Sequence, residues 1–363
     1  MLDRVLIVSF FCTALVLAAA PYEAQLDDRG VITFGGELDG MYAHVGTHGP
    51  GWSYASAGSG AAKTERVADR LEGVLPMPPN CAGDLLYTMA LGASGPAAEI
   101  VCSEAFTERT TIEGAYLCFF LPAKALAGKR ASLPHGKAVK AMPVGEESPG
   151  LSGPAAAFTV ELDHNRSLVI ACDTTDHVLV QNNRQYGNDT FEVRFLFWPK
   201  GQVFPGMALR RVFRVAVIPT TEIGAMIEAM NPPIEFDAEK PYALLRDQGQ
   251  ISVMDERGEM ASINLAVHGL GWSYASQGEA NAQASGSNRF RTIQGALAVP
   301  DSGGGLMEYV EQVSAQPGGA LDLQYRLHFP EAAALNGYQL SVQGKLSTYS
   351  GASVDLLTAD GEK

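Results

Sequence analysis

One nine-residue phrase occurs twice in this chain. His48-Gly49-Pro50-Gly51-Trp52-Ser53-Tyr54-Ala55-Ser56 returns as His268-Gly269-Leu270-Gly271-Trp272-Ser273-Tyr274-Ala275-Ser276, at an offset of 220 residues and with only Pro50 changed, to Leu270. Self-similarity at a fixed spacing constrains the architecture before any local pattern does. The flanks agree with it. Tyr22 to Asp27 aligns with Tyr242 to Asp247 at the same offset, and Leu71-Glu72-Gly73-Val74-Leu75 matches Ile293-Gln294-Gly295-Ala296-Leu297 at an offset of 222. Gly114-Ala115-Tyr116-Leu117 falls near Gly337-Tyr338-Gln339-Leu340. So many separated matches point to a duplication.

The expected plan is therefore a leader at 1–20, a first repeat at 21–219, a linker at 220–240 and a second repeat at 241–363. The second copy is expected to be incomplete. At an offset of 222, Lys363 corresponds to position 141 of the first copy, so nothing matches 142–219. A half-built sheet leaves an open edge and an uncovered inner face, which natural proteins avoid. The sequence thus reads as one interrupted within the second copy.

The formal charge of −14 excludes a nucleic-acid partner, which would need clustered Lys and Arg. Residues 1–20 read as a secretory signal: Arg4, an apolar run from Val5 to Leu17, then Ala18-Ala19-Ala20 before Tyr22. That run is too short for the better reading to be a membrane anchor, and no second stretch of membrane length follows. A secreted, periplasmic or cell-surface location is expected. Beyond the leader, Cys81, Cys102, Cys118 and Cys172 all lie in the first copy. One or two disulfides and buried free thiols are both open for them.

Most of the chain reads as short strands bounded by Gly, Pro, Asn or Asp, among them 31–34, 85–89, 115–120, 157–162, 168–171 and 177–180. Segments 190–197 and 209–217 alternate apolar with polar residues, which puts one face in a core and the other in water. Long helices are lacking; the clearest helix is Thr221 to Met230, with Thr220 or Thr221 as N-cap and Pro232-Pro233 beyond it. The expectation is an all-β protein of tandem large β-sandwich domains related by the repeat.

Several residues carry chemistry. Trp52 and Tyr54, like Trp272 and Tyr274, are two apart and would share a face of a strand. Such a pair serves either as a stacking platform for a sugar ring or as filling for the sandwich core. His48 and His268 stand alone, with no second histidine at ligand spacing, and read as hydrogen-bonded or solvated. Asp163-His164 and Asp176-His177 are neighbours, which in a strand face opposite sides. The cluster Gln181-Asn182-Asn183-Arg184-Gln185-Tyr186-Gly187-Asn188 is either a glycan-binding loop, with Asn182, Asn183, Arg184 and Tyr186 as contacts, or a turn using Asn and Gly for backbone freedom. A glycosidase needs two carboxylates at a set separation, and nothing selects two from 40 acidic residues. No nucleophile elbow, phosphate loop, dinucleotide fingerprint or zinc motif occurs, so no catalytic residue, cofactor or metal is expected.

With its leader and strands such as Gly114-Ala115-Tyr116-Leu117-Cys118-Phe119-Phe120-Leu121-Pro122 and Val178-Leu179-Val180-Gln181-Asn182-Asn183-Arg184, the chain resembles the non-catalytic β-sandwich modules of secreted bacterial polysaccharide-degrading enzymes. The resemblance is one of architecture across 22–363 and carries no catalytic motif. It implies a glycan-binding or accessory protein, or the front part of a larger glycoside hydrolase, with a polysaccharide as partner. The alternative is a structural or cell-surface spacer. Exposed aromatics at the two repeated phrases would favour the first, and buried ones the second.

Overall fold

The computed structural model describes residues 23–134, 138–205, 208–231, 242–246, 248–255, 258–286, 290–315 and 321–344. The leader at 1–20 and the Pro232-Pro233 part of the linker lie outside them. The protein is all-β. The N-terminal region opens with β1 (Ala24–Leu26), β2 (Val31–Phe34), β3 (Tyr42–His48) and β4 (Tyr54–Ser56). A second meander follows: β5 (Lys63–Val67), β6 (Arg70–Pro76), β7 (Asp84–Ser94) and β8 (Ala97–Phe106). After the short β9 (Thr110–Ile112), β10 (Gly114–Pro122) returns to β3. A lobe of β11 (Arg130–Leu133), β12 (Ala138–Ala141) and β13 (Ser152–Glu161) flanks the long β14 (Arg166–Asn182). β15 (Thr190–Trp198), β16 (Gly201–Val203) and β17 (Leu209–Pro219) complete the region.

The main sheet runs β1-β2-β3-β10-β15-β14-β17-β8-β7-β6-β5. Ile32, Val45, Leu117, Phe195, Val215 and Met89, drawn from across that order, share one apolar core, so the sheet curls over onto itself. Its far ends meet. The Arg66 guanidinium on β5 donates to the Leu26 carbonyl on β1 at 3.0 Å, and the Tyr87 hydroxyl on β7 donates to the Arg29 carbonyl at 3.4 Å. Tyr87 reaches that carbonyl over Gly73, where a Cβ would lie 2.1 Å from the ring.

The C-terminal region contains β18 (Tyr242–Leu245), β19 (Ile251–Asp255), β20 (Gly258–His268), β21 (Tyr274–Ser276), β22 (Asn281–Gly286), β23 (Phe290–Ala298), β24 (Leu306–Ala315), β25 (Leu321–His328) and β26 (Gly337–Gly344). One sheet runs β18-β19-β20-β21 with β26 also on β20; the other runs β22-β23-β24-β25. Leu265 and Val267 of the first face Ile293, Met307 and Tyr309 of the second in a separate core. Tyr309 lies over Gly295 and donates to the Gln248 carbonyl at 2.8 Å, as Tyr87 does over Gly73. The two regions touch: Arg109 meets Glu308 at 3.0 Å, and the Arg211 guanidinium lies over both Phe197 and Phe290.

Three local expectations change, and the alternative left open for the cysteines is decided. The helix, α1 (Ile223–Met230), begins after a 3-10 turn at Thr220–Glu222 and has no side-chain cap. Thr220 and Thr221 lie within that turn, ahead of the N-cap position at Glu222, and the Thr220 hydroxyl is 3.0 Å from that of Ser167. The stretches 168–171 and 177–180 belong to one bent strand, β14, rather than two. Polar residues continue it because Asp173 accepts the Val212 amide at 3.0 Å and Asp176 pairs with the buried Arg211 at 2.7 Å. Cys81, Cys102, Cys118 and Cys172 are free thiols, the last three buried. Finally, the polar face of β15 is not in water, since Glu192 and Arg194 are both buried. That face carries the site described next.

Candidate functional site

The repeated phrase forms a tight turn between β3 and β4. The Trp52 amide donates to the Gly49 carbonyl at 3.0 Å and the Gly49 amide to the Ser53 carbonyl at 2.8 Å. The same two bonds recur from Trp272 to Gly269 and from Gly269 to Ser273, at 3.0 and 2.9 Å. Closing the turn drives both tryptophans to a φ of 62°. A bulky L-residue in the left-handed region costs about 1–3 kcal/mol and persists only where its surroundings impose it. Ser53 helps to impose it by donating to the Pro79 carbonyl at 3.1 Å.

The turn overturns one expectation. Trp52 is not on a strand with Tyr54, so the alternating rule does not relate them; both rings instead gather around His48, at centroid distances of 5.6 and 4.9 Å. Neither fills the core. Trp52 is 62% and Tyr54 45% exposed, and Trp272 and Tyr274 are 70% and 65% exposed.

Beneath the aromatics, His48 is buried. Burial first, then the positive charge of Arg194, pushes its pKa down to about 4, so the imidazole is neutral near neutral pH. Its Nδ1 shares a hydrogen bond of 2.6 Å with the Tyr116 hydroxyl, the tautomer deciding which of the two donates. Tyr54 lies across Gly46, where a Cβ would stand 3.4 Å from its hydroxyl and 3.0 Å from the Tyr116 ring. The hydroxyl is thus the covered end of an otherwise exposed side chain, and burial raises its pKa.

From Tyr116 the polar network crosses to β15. The Arg194 guanidinium sits 5.0 Å from the Tyr116 ring centroid. It donates to both carboxylate oxygens of Glu192, at 2.7 and 3.0 Å. Asn183 donates to Glu192 at 3.2 Å, and Gln181 donates to Asn183 at 2.8 Å. The result is a continuous ridge over β4, β3, β10, β15 and β14, aromatic and exposed at one end, polar and covered at the other. An open cleft of about 460 Å³ adjoins it, lined in part by Tyr42, His44, Asp39 and Gly58. Tyr42 and His44 share a face with His48 by the strand's period of two. Tyr42 stacks on Phe120 at 4.5 Å.

The amide-rich loop is placed differently from a ligand-facing arrangement. Asn182 is fully buried and donates to the Gly145 and Glu147 carbonyls, both at 2.9 Å. Arg184 donates to the Pro143 carbonyl at 2.7 Å and to Asn182 at 3.0 Å. These two hold the neighbouring loop, and Asn183 orients Glu192. Tyr186 alone of the four is exposed, at 66%. Residues 183–186 form a 3-10 turn closed by Gly187 at a φ of 82°, connecting the antiparallel strands β14 and β15, as the turn reading of this cluster expects.

Tyr116, Glu192 and Arg194 were not singled out by motif. A signal existed: the run Tyr116-Leu117-Cys118-Phe119-Phe120 is apolar on both faces, which requires both to be covered. The C-terminal phrase lacks this support. In register, Gln339 of β26 stands where Tyr116 stands in β10, and His268 has no hydrogen-bond partner on either ring nitrogen. Among the described residues, no group of three or more His, Cys, Asp or Glu side chains forms a metal site, and no helix is long and apolar enough to cross a membrane. No protein-family model matches the chain, and no curated protein matches its sequence.

Proposed function

We propose that the N-terminal region is a glycan-binding module of an exported, β-sandwich-like protein, with Trp52 and Tyr54 as the stacking platform. The observation that carries this reading is the exposure of both rings at a turn held in an unfavourable backbone conformation. A fold has no packing reason to maintain an exposed indole there, whereas a pyranose face does stack on such rings. The ligand is an uncharged saccharide. The Arg194 charge is neutralised by Glu192, His48 is neutral, and a chain of net charge −14 repels acidic polymers. Trp272 and Tyr274 offer a second, less supported platform, and two linked sites raise avidity on a polymer.

Intrinsic fluorescence tests the reading directly. The chain has three tryptophans, and the third, Trp198, is only 1% exposed. Titration with neutral gluco-, xylo- and manno-oligosaccharides should shift the emission of the two exposed tryptophans, and Trp52→Ala should remove most of the change. An unchanged spectrum across the panel would sink the proposal. A tandem spacer would then remain, a reading favoured by the direct contacts of Arg109 with Glu308 and of Gln294 with the Gln202 carbonyl.

A further inference from the structure

β26 occupies in the C-terminal region the place that β10 occupies in the N-terminal one. Gly337 pairs with His268 as Gly114 pairs with His48. On its other side β10 is paired with β15, and β15, β14 and β17 connect it round to β8. Neither β26 nor β25 has such a neighbour among the described residues: β26 pairs with β20 alone and β25 with β24 alone.

The consequence shows in burial. Ala115, Leu117 and Phe119, the core-facing row of β10, are completely buried. Their register equivalents on β26 are Tyr338, Leu340 and Val342, and these are 57%, 47% and 72% exposed. They lie on the core face, because Tyr338 pairs with Val267 and Leu340 with Leu265, both buried in the C-terminal core. An apolar row on the inner face of a sandwich, next to an unpaired strand edge, is a pairing surface.

We infer that this edge pairs with a second copy of itself, β26 running antiparallel to β26 of another chain about a twofold axis. Three observations select that occupant. First, β26 reads Gly-Tyr-Gln-Leu-Ser-Val-Gln-Gly and holds no charge and no proline. In a chain of net charge −14 a symmetric contact places like charge on like charge unless the strand is neutral. The exposed edge strand β5, by contrast, carries Lys63, Glu65 and Arg66. Second, the pattern is self-complementary. With Leu340 on the axis, it faces its own copy, and Tyr338 faces Val342 of the other chain. All three apolar residues then share one face, while Gln339, Ser341 and Gln343 share the other. A shift by one residue would mix the two faces. Third, the same scaffold position in β10 already receives an antiparallel strand in this way. Pairing joins the two open inner faces and supplies the backbone hydrogen bonds of the edge.

The test uses the full chain. Sedimentation velocity over a range of concentrations should show a reversible dimer. Leu340→Lys sets two ammonium groups opposite each other at the axis and should weaken dimerisation by about 100-fold or more. Because Leu340 is half exposed, the variant should keep the circular dichroism spectrum of the parent. Leu340→Cys should cross-link to its own copy on mild oxidation, and Tyr338→Cys should not, since Tyr338 faces Val342. A monomer at every concentration, a dimer indifferent to Leu340→Lys, or cross-linking at 338 in place of 340 would each overturn the inference. A monomer that Leu340→Lys unfolds would assign the edge to a covering from within the chain and overturn it equally.

Discussion

The Tyr116 hydroxyl and His48 Nδ1 share a hydrogen bond of 2.6 Å, joining strands separated by 68 residues of sequence and placing a neutral imidazole under two exposed aromatic rings. Tyr116→Phe removes the hydroxyl and leaves the buried Nδ1 without this partner. The expected loss of stability is about 1–3 kcal/mol, the cost of an unsatisfied buried polar group, measurable by urea unfolding. Under the proposed function, saccharide affinity should fall with it, because the His48 ring lies against both Trp52 and Tyr54.

Trp52 holds a φ of 62° that only glycine adopts without strain. Trp52→Gly should therefore stabilise the protein, by up to about 1 kcal/mol once the added freedom of the unfolded chain is counted, while abolishing saccharide binding at that platform. Thermal unfolding and fluorescence titration on the same variant check both halves. A variant that is both less stable and fully competent to bind would contradict this account of the turn.

Gly73→Ala would put a methyl group 2.1 Å from the Tyr87 ring, and Gly295→Ala one 2.6 Å from the Tyr309 hydroxyl. Each tyrosine must then leave its carbonyl partner, and overpacking of this kind costs about 1–3 kcal/mol. The paired variants Gly73→Ala with Tyr87→Phe and Gly295→Ala with Tyr309→Phe should recover little, since ring carbons stand 2.1 Å from the added methyl in the first case and 2.7 Å in the second. Denaturation midpoints decide it.

The two regions should respond to pH in opposite directions. His48 has its pKa lowered to about 4 by burial and by Arg194, so the unfolded chain binds the extra proton. Its effect is to make stability fall as pH drops from about 6.5 towards 4, at no more than about 1.4 kcal/mol per pH unit. Glu311 has its pKa raised to about 7 by burial, against the lowering effect of bonds from Tyr325 and Gln277. The stability it contributes is complete below its unfolded value and is lost as pH rises through 7. Glu311→Gln should flatten the loss at neutral pH and leave the acid limb intact, and His48→Gln should do the reverse, as read from urea midpoints across pH 4–8.

Much of the fold was legible in the chain. Strand positions follow from β-branched and aromatic runs between turn residues, and a period of two needs no knowledge of neighbours. The repeated phrase announced a shared turn, since Gly49 and Gly51 flank the position where the chain reverses. What it did not announce was the left-handed φ of Trp52, because the alternation of a strand does not hold where the backbone has left the strand for the turn. Asn182 and Arg184 illustrate the opposite difficulty. Their composition suits a ligand, but the carbonyls of Pro143, Gly145 and Glu147 lie within reach only after the 143–147 loop has folded against β14.

The sequence by itself determined the all-β character, the positions of the strands it marks most strongly and the recurrence of the aromatic turn, because each depends on steric and hydrophobic preferences acting over a few residues. Tertiary structure alone decided that the polar face of β15 is covered, that Tyr116 and Arg194 stand beside His48, and that Tyr338, Leu340 and Val342 face an uncovered core. The exposure of Tyr338, Leu340 and Val342 is that of the described residues, and all three outcomes depend on the order of strands across the sheet. That order sets which distant side chains share a face, and the desolvation and hydrogen bonding that follow from it arise between residues far apart along the chain.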